Sequence, residues 1–176
     1  MHIIIAAIGL LTAIYVLFIR TRNAGHVAAD LTDMANDVRL AARRFGFKRQ
    51  TNIHPVETIE DPKLAVGAIA TAFLELDDLP TREQRDALQY ALRDTYDLGH
   101  QPAEEMTILG HWFVSECGGA EQAVTRLARK LYKLDGANSF DPLLSILNTT
   151  MSAGSGALNR AQGSALDEVK RAFRIS

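Results

Sequence analysis

Chemistry in this 176-residue chain has to be sought among five histidines, one cysteine and two acidic turns. His100 and His111 stand eleven positions apart and Cys117 six further on, so none makes a ligand pair at metal-site spacing. Ser115-Glu116-Cys117 holds a nucleophile type, yet Cys117 falls on a core position just before Gly118-Gly119 and reads as a small buried hydrophobe. Gly154-Ser155-Gly156 and Gly163-Ser164 lack the lysine and the strand of a phosphate loop. Asp77-Asp78 are neighbouring carboxylates without a histidine to work with. A lone cysteine also excludes an internal disulfide framework and any multi-cysteine zinc or iron–sulfur site. The chain is read as non-enzymatic.

The acidic turns are more informative, because the same pattern occurs twice. Leu76-Asp77-Asp78-Leu79-Pro80-Thr81-Arg82-Glu83 follows one apolar segment, and Leu134-Asp135-Gly136-Ala137-Asn138-Ser139-Phe140-Asp141 follows another 58 residues later. Asp78 and Gly136 tolerate positive φ. Thr81 and Ser139 are suited to take up free amides, and Glu83 and Asp141 to sit at a helix N-terminus. The pattern predicts a duplicated helical hairpin.

On these residues the chain resembles the TerB-like family, the tellurite-resistance-type helical domain. It is also similar to the corresponding region of DnaJ-like membrane proteins that carry an N-terminal anchor. The likeness covers about residues 62–150. Asp78 stands for the family's first glycine, and Leu79 where an acidic residue is common. The His-Pro-Asp signature of a J domain is absent, since His54-Pro55 is followed by Val56. The resemblance implies a bundle of about seven helices with the two turns near each other and a divalent cation between them. Its metal ligands would be Asp77, Glu83, Asp135 and Asp141, with Asp78 as an extra one. Carboxylates alone suit Ca²⁺ or Mg²⁺. The competing reading makes all of them caps and turn residues, and the absence of a nearby histidine favours it.

The elements that must position these residues are helical. Val27, Leu31, Met34, Val38, Ala41 and Phe45 predict one amphipathic helix over 26–45, and Gly46 to Glu60 an extended connection. Asp61-Pro62 reads as an N-cap and first-turn proline opening a helix over Lys63–Leu76 that is apolar nearly all round, and so central. Thr81-Arg82-Glu83-Gln84 is a capping box for a helix to about Asp97, stopped by Gly99. Pro102 starts the next, with Met106, Leu109, Trp112, Phe113 and Cys117 inward and Gly118-Gly119 at its end. Val124, Leu127, Leu131 and Leu134 form a seam, Leu143 to Met151 a further helix, and Ser164 caps a last amphipathic one. No segment alternates at period two, and the fold class is all-α.

Ahead of the bundle, Ile3–Ile19 is 17 residues without a charge, stopped by Arg20-Thr21-Arg22. That is roughly 25 Å of helix, close to a hydrocarbon thickness, and arginines after rather than before it argue for a retained anchor over a cleaved signal. The positive-inside rule then places the N-terminus in the periplasm and the rest at the cytoplasmic face of a bacterial inner membrane. The expected organisation is an anchor over 1–22, a juxtamembrane helix and linker over 23–61, a TerB-like domain over 62–151, and a flexible tail with a short amphipathic helix over 152–176. Net charge is −2, which gives no case for nucleic acid. Residues 20–49 and 122–176 each carry +4 and residues 50–121 carry −10. The expected function is a membrane-anchored interaction module docking on a membrane protein or complex, such as an accessory subunit of a respiratory or transport assembly. The alternatives are a metal-binding stress sensor and a co-chaperone relative without its J domain. Whether the chain pairs with itself is left open.

Overall fold

The computed structural model describes residues 36–47, 52–77 and 79–175. The described chain is all-α. Residues 36–44 (α1) are helical, a short 3₁₀ turn covers Pro55–Thr58, and then follow α2 (Pro62–Glu75), α3 (Arg82–Tyr96), α4 (His100–Cys117), α5 (Ala120–Asp135), α6 (Phe140–Ser152) and α7 (Arg160–Ala172). From Val38 onward the chain forms one compact unit. No helix among the described residues is long and apolar enough to cross a membrane. The expected span over Ile3–Ile19 lies outside them, as does the first part of the 26–45 helix.

At the centre is α2, as its all-round apolar sequence requires. Asp61 accepts from the Lys63 backbone N–H at 2.9 Å, Pro62 opens the helix, and every residue from Leu64 to Leu74 is buried. Neighbours surround it: α4 and α5 pack along it most extensively, α3 and α6 less so. Two glycines set its distance from α4. An added Cβ at Gly67 would lie 2.3 Å from Met106 Sδ, and one at Gly110 would lie 2.5 Å from Thr71 Oγ1. With His111 reaching Glu75, these contacts run in register along both helices, so α2 and α4 are parallel. The tight Gly118-Gly119 turn, both residues at positive φ, then reverses the chain and makes α5 antiparallel to α2.

Capping chemistry explains several of the boundaries, and three of them differ from expectation, the first being the start of α4 at His100 and not at Pro102. Thr81 and Gln84 form the reciprocal box at the start of α3 (3.1 and 2.9 Å), as read from sequence. That helix ends at Asp97, whose φ of 51° lets the Leu98 N–H reach the Arg93 carbonyl at 3.0 Å. Gly99 is the N-cap of α4 and not the stop of α3. The last helix begins at Arg160, not at Ser164, because Asn159 and Gln162 make a second capping box (2.8 and 3.1 Å). Asn159 Nδ2 also donates to the Leu76 carbonyl at 2.8 Å, tying this helix to the end of α2.

Both flanks of the expected 62–151 domain belong to the same compact unit. Before it, Ala41, Phe47, Val56 and Ile59 are buried, and Phe47 meets Trp112 and Phe113 edge-on at 5.4 and 5.3 Å. After it, Gln162, Ala165, Val169 and Phe173 are buried, with α7 packed along α5. These residues form the buried face of the short amphipathic helix expected over 152–176, and their burial holds it against the bundle.

Candidate functional site

Antiparallel packing of α2 and α5 decides the fate of the two acidic turns. Asp77 follows the C-terminal end of α2, where it accepts from the Leu79 N–H and from Gln84 Nε2, both at 3.4 Å. Glu83 is exposed in the first turn of α3, and Asp78 lies outside the described residues. Asp135 ends α5. It accepts from the Ser139 hydroxyl in a short hydrogen bond and from Asn138 Nδ2 at 3.3 Å. Ser139 therefore closes the turn through Asp135 and makes no cap bond to α6, contrary to the sequence reading. Asp141 is exposed in the first turn of α6.

The second turn borders a hollow of about 240 Å³ lined by Asp61, Pro62 and Lys63, which is the N-terminal end of α2. The first turn is at the other end of that helix, roughly 21 Å away for its fourteen residues. Asp77 and Glu83 are therefore not brought together with Asp135 and Asp141. Among the described residues no group of three or more His, Cys, Asp or Glu side chains is placed to share a metal ion. The two turns are alike in sequence, but Thr81 caps α3 while Ser139 bonds back to Asp135, and they do not build one site.

Tyr96 closes the hollow, with Lys63 Nζ 5.6 Å from its ring centroid. Burial raises its phenol pKa above the ordinary range, and the Asp61 and Asp135 carboxylates add to the effect. Above the unfolded phenol's pKa of about 10 the folded state holds this proton while the unfolded chain has released it. Stability present below that pH is therefore lost progressively as pH rises towards the folded value. Denaturation at pH 9 and pH 11 should show a smaller alkaline loss in Tyr96→Phe than in the natural chain. Equal losses would remove Tyr96 from the account. Cys117 is half-buried, and burial pushes its thiol pKa up although Arg126 pulls it down, the opposite of an activated nucleophile.

A larger feature lies between α5 and α7. The inward seam of α5 (Ala123, Val124, Leu127, Ala128, Leu131) leaves Arg126, Arg129, Lys130 and Lys133 on its outer side. Burial of Ala165 and Val169 in α7 turns Arg171 outward in the same way. Arg174, at φ 59°, stacks its guanidinium 5.2 Å from the Tyr132 ring centroid, and Tyr132 packs on Phe173. Together these residues line a shallow groove of about 900 Å³ holding six cations and two carboxylates, Glu57 and Glu121. Lys130 donates to the Glu57 carbonyl at 2.7 Å and Arg171 pairs with Glu168 at 3.0 Å. Among the described residues Arg126, Arg129 and Lys133 have no carboxylate at ion-pair distance. What the groove offers is a row of exposed positive charge that attracts anions at modest energy per contact in water.

Half of this groove was legible in sequence, since 126, 129, 130 and 133 recur at helical spacing opposite the leucine seam. The part given by α7 was not, because nothing local says which helix that segment lies against. The chain matches no family model, no curated protein and no solved structure. None of these comparisons supports the expected TerB-like family.

Proposed function

We propose that this protein is a membrane-anchored, non-enzymatic helical interaction module that docks on a membrane protein or complex at the cytoplasmic face. The groove between α5 and α7 is the observation that carries the reading: three arginine and lysine side chains without a carboxylate partner among the described residues are a surface fitted to an anionic guest. The uncharged stretch Ile3–Ile19 supports the anchor, and tethering raises the bundle's effective concentration near other proteins of the same membrane. A divalent-cation sensor built on the two turns has lost its geometric support, because they lie at opposite ends of α2.

Membrane fractionation and purification in mild detergent test this. The full chain should stay with the membrane after a high-salt wash, and a chain lacking residues 1–22 should be released. A stoichiometric partner should copurify with the natural chain and be lost from Arg126→Glu/Arg129→Glu. Recovery of the full chain in the soluble fraction, or a partner indifferent to that double variant, would refute it.

A further inference from the structure

We infer that the guest of the α5–α7 groove is an acidic amphipathic helix of about three turns, supplied by a protein partner; this rests on the docking reading above. The groove follows α5 from Glu121 to Lys133, roughly 18 Å, which is about the length of such a helix. The cations without a carboxylate partner among the described residues, Arg126, Arg129 and Lys133, recur at i, i+3 and i+7. They form a line instead of converging on a point, as a single bound phosphate would require. A guest helix with carboxylates at the same period meets each of them in turn.

The shape agrees with the charge. The outer face of α5 is flanked by Glu57 of the 3₁₀ turn and by Arg171, Ala172 and Arg174 at and just after the end of α7, which leaves a valley of the kind into which a helix packs. The Tyr132 ring and Ala172 put apolar surface among the cations, which asks for a guest with an apolar side as well as an acidic one. A bilayer is flat and meets the edges of a valley better than its floor, and a DNA duplex is too wide to enter one between adjacent helices.

The test uses the full chain in zwitterionic detergent and two fluorescent 18-residue peptides of equal composition, read by anisotropy. In one, glutamates recur at i, i+3 and i+7 beside an alanine–leucine face; in the other, the prolines it carries at its ends are moved to the centre. The helical peptide should bind at least about tenfold more tightly, and its affinity should fall by a similar factor between 50 and 200 mM salt. Arg126→Glu/Arg129→Glu should lose about tenfold or more, while Arg82→Glu/Arg93→Glu on α3 should bind as the natural chain does. Lys133→Gln/Arg171→Gln, on two exposed positions, gives the same readout if the first pair fails to fold. Equal binding of the two peptides overturns the helical guest and leaves groove docking standing. Displacement of the peptide by phosphatidylglycerol mixed into the detergent micelles, but not by phosphatidylcholine at the same mole fraction, overturns it in favour of an anionic lipid surface. Undiminished peptide binding by both groove variants removes the groove itself, and the docking reading fails with it.

Discussion

Gly110→Ala should lower the melting temperature of the full chain in mild detergent by about 7 °C. An alanine Cβ there would lie 2.5 Å from Thr71 Oγ1 and 2.6 Å from Thr71 Cβ. The hydroxyl could rotate away, but Thr71 Cβ is fixed by the backbone of a helix buried on every side, so α2 and α4 must move apart. Overpacking of this kind costs up to about 3 kcal/mol. Alanine is the better helix former by about 1 kcal/mol, and this works the other way. A net loss of about 2 kcal/mol, at roughly 3–4 °C per kcal/mol for a unit of this size, gives the expected shift. Second-site changes separate the cause from ordinary destabilisation. Thr71→Ala leaves the Cβ-to-Cβ clash in place and should give little rescue. Thr71→Gly removes it and should show a favourable coupling of at least about 1 kcal/mol with Gly110→Ala in a double-mutant cycle. A Gly110→Ala protein that melts within a degree of the natural one would mean that the helices are not held at this distance.

That contact also shows which parts of the architecture the amino-acid order makes readable. Elements set by near neighbours were accessible: the Asp61-Pro62 start, the Thr81 capping box, the Gly118-Gly119 stop and the all-apolar α2 each depend on side chains and backbone groups a few positions apart. Relative direction was not. Leu76-Asp77 and Leu134-Asp135 look alike in sequence, but α4 runs parallel to α2 and α5 returns against both, which sends the two turns to opposite ends. A likeness of local sequence therefore suggested one acidic site where the fold has two separate turns. The end of α3 at about Asp97 is legible, but its left-handed cap is not, because Gly99, two residues later, is the more usual residue for that conformation. Asn159 was passed over for a similar reason: Gly163 and the glycines at 154 and 156 disguise a segment whose capping box matches that of α3 in form. The cationic groove needed both α5 and the docked α7, and only the first half has a local signature.

Phe173→Ala should be the most damaging single change in the last twenty residues, costing about 3–4 kcal/mol. The ring is only 3% exposed and lies 5.8 Å from Tyr132 and 5.3 Å from Phe140, so it joins the ends of α5, α6 and α7. Truncating it removes a large apolar contact and leaves a cavity that Val169, already fully buried, cannot fill. Phe173→Leu keeps most of the volume and should cost under about 1.5 kcal/mol. Urea unfolding of the three chains measures this through the shift of midpoint at constant slope. The sign of the comparison matters beyond stability, since Phe173 supports Tyr132, the ring on which Arg174 rests at the mouth of the groove. Phe173→Ala should therefore weaken binding of the acidic peptide even under conditions where the bundle stays folded, while Phe173→Leu should bind nearly as well as the natural chain. A loss below about 0.5 kcal/mol for Phe173→Ala would make residues 160–173 a dispensable appendage. Arg171 and Arg174 would then have no fixed position from which to face the cations of α5, and the groove would be reduced to one helix face.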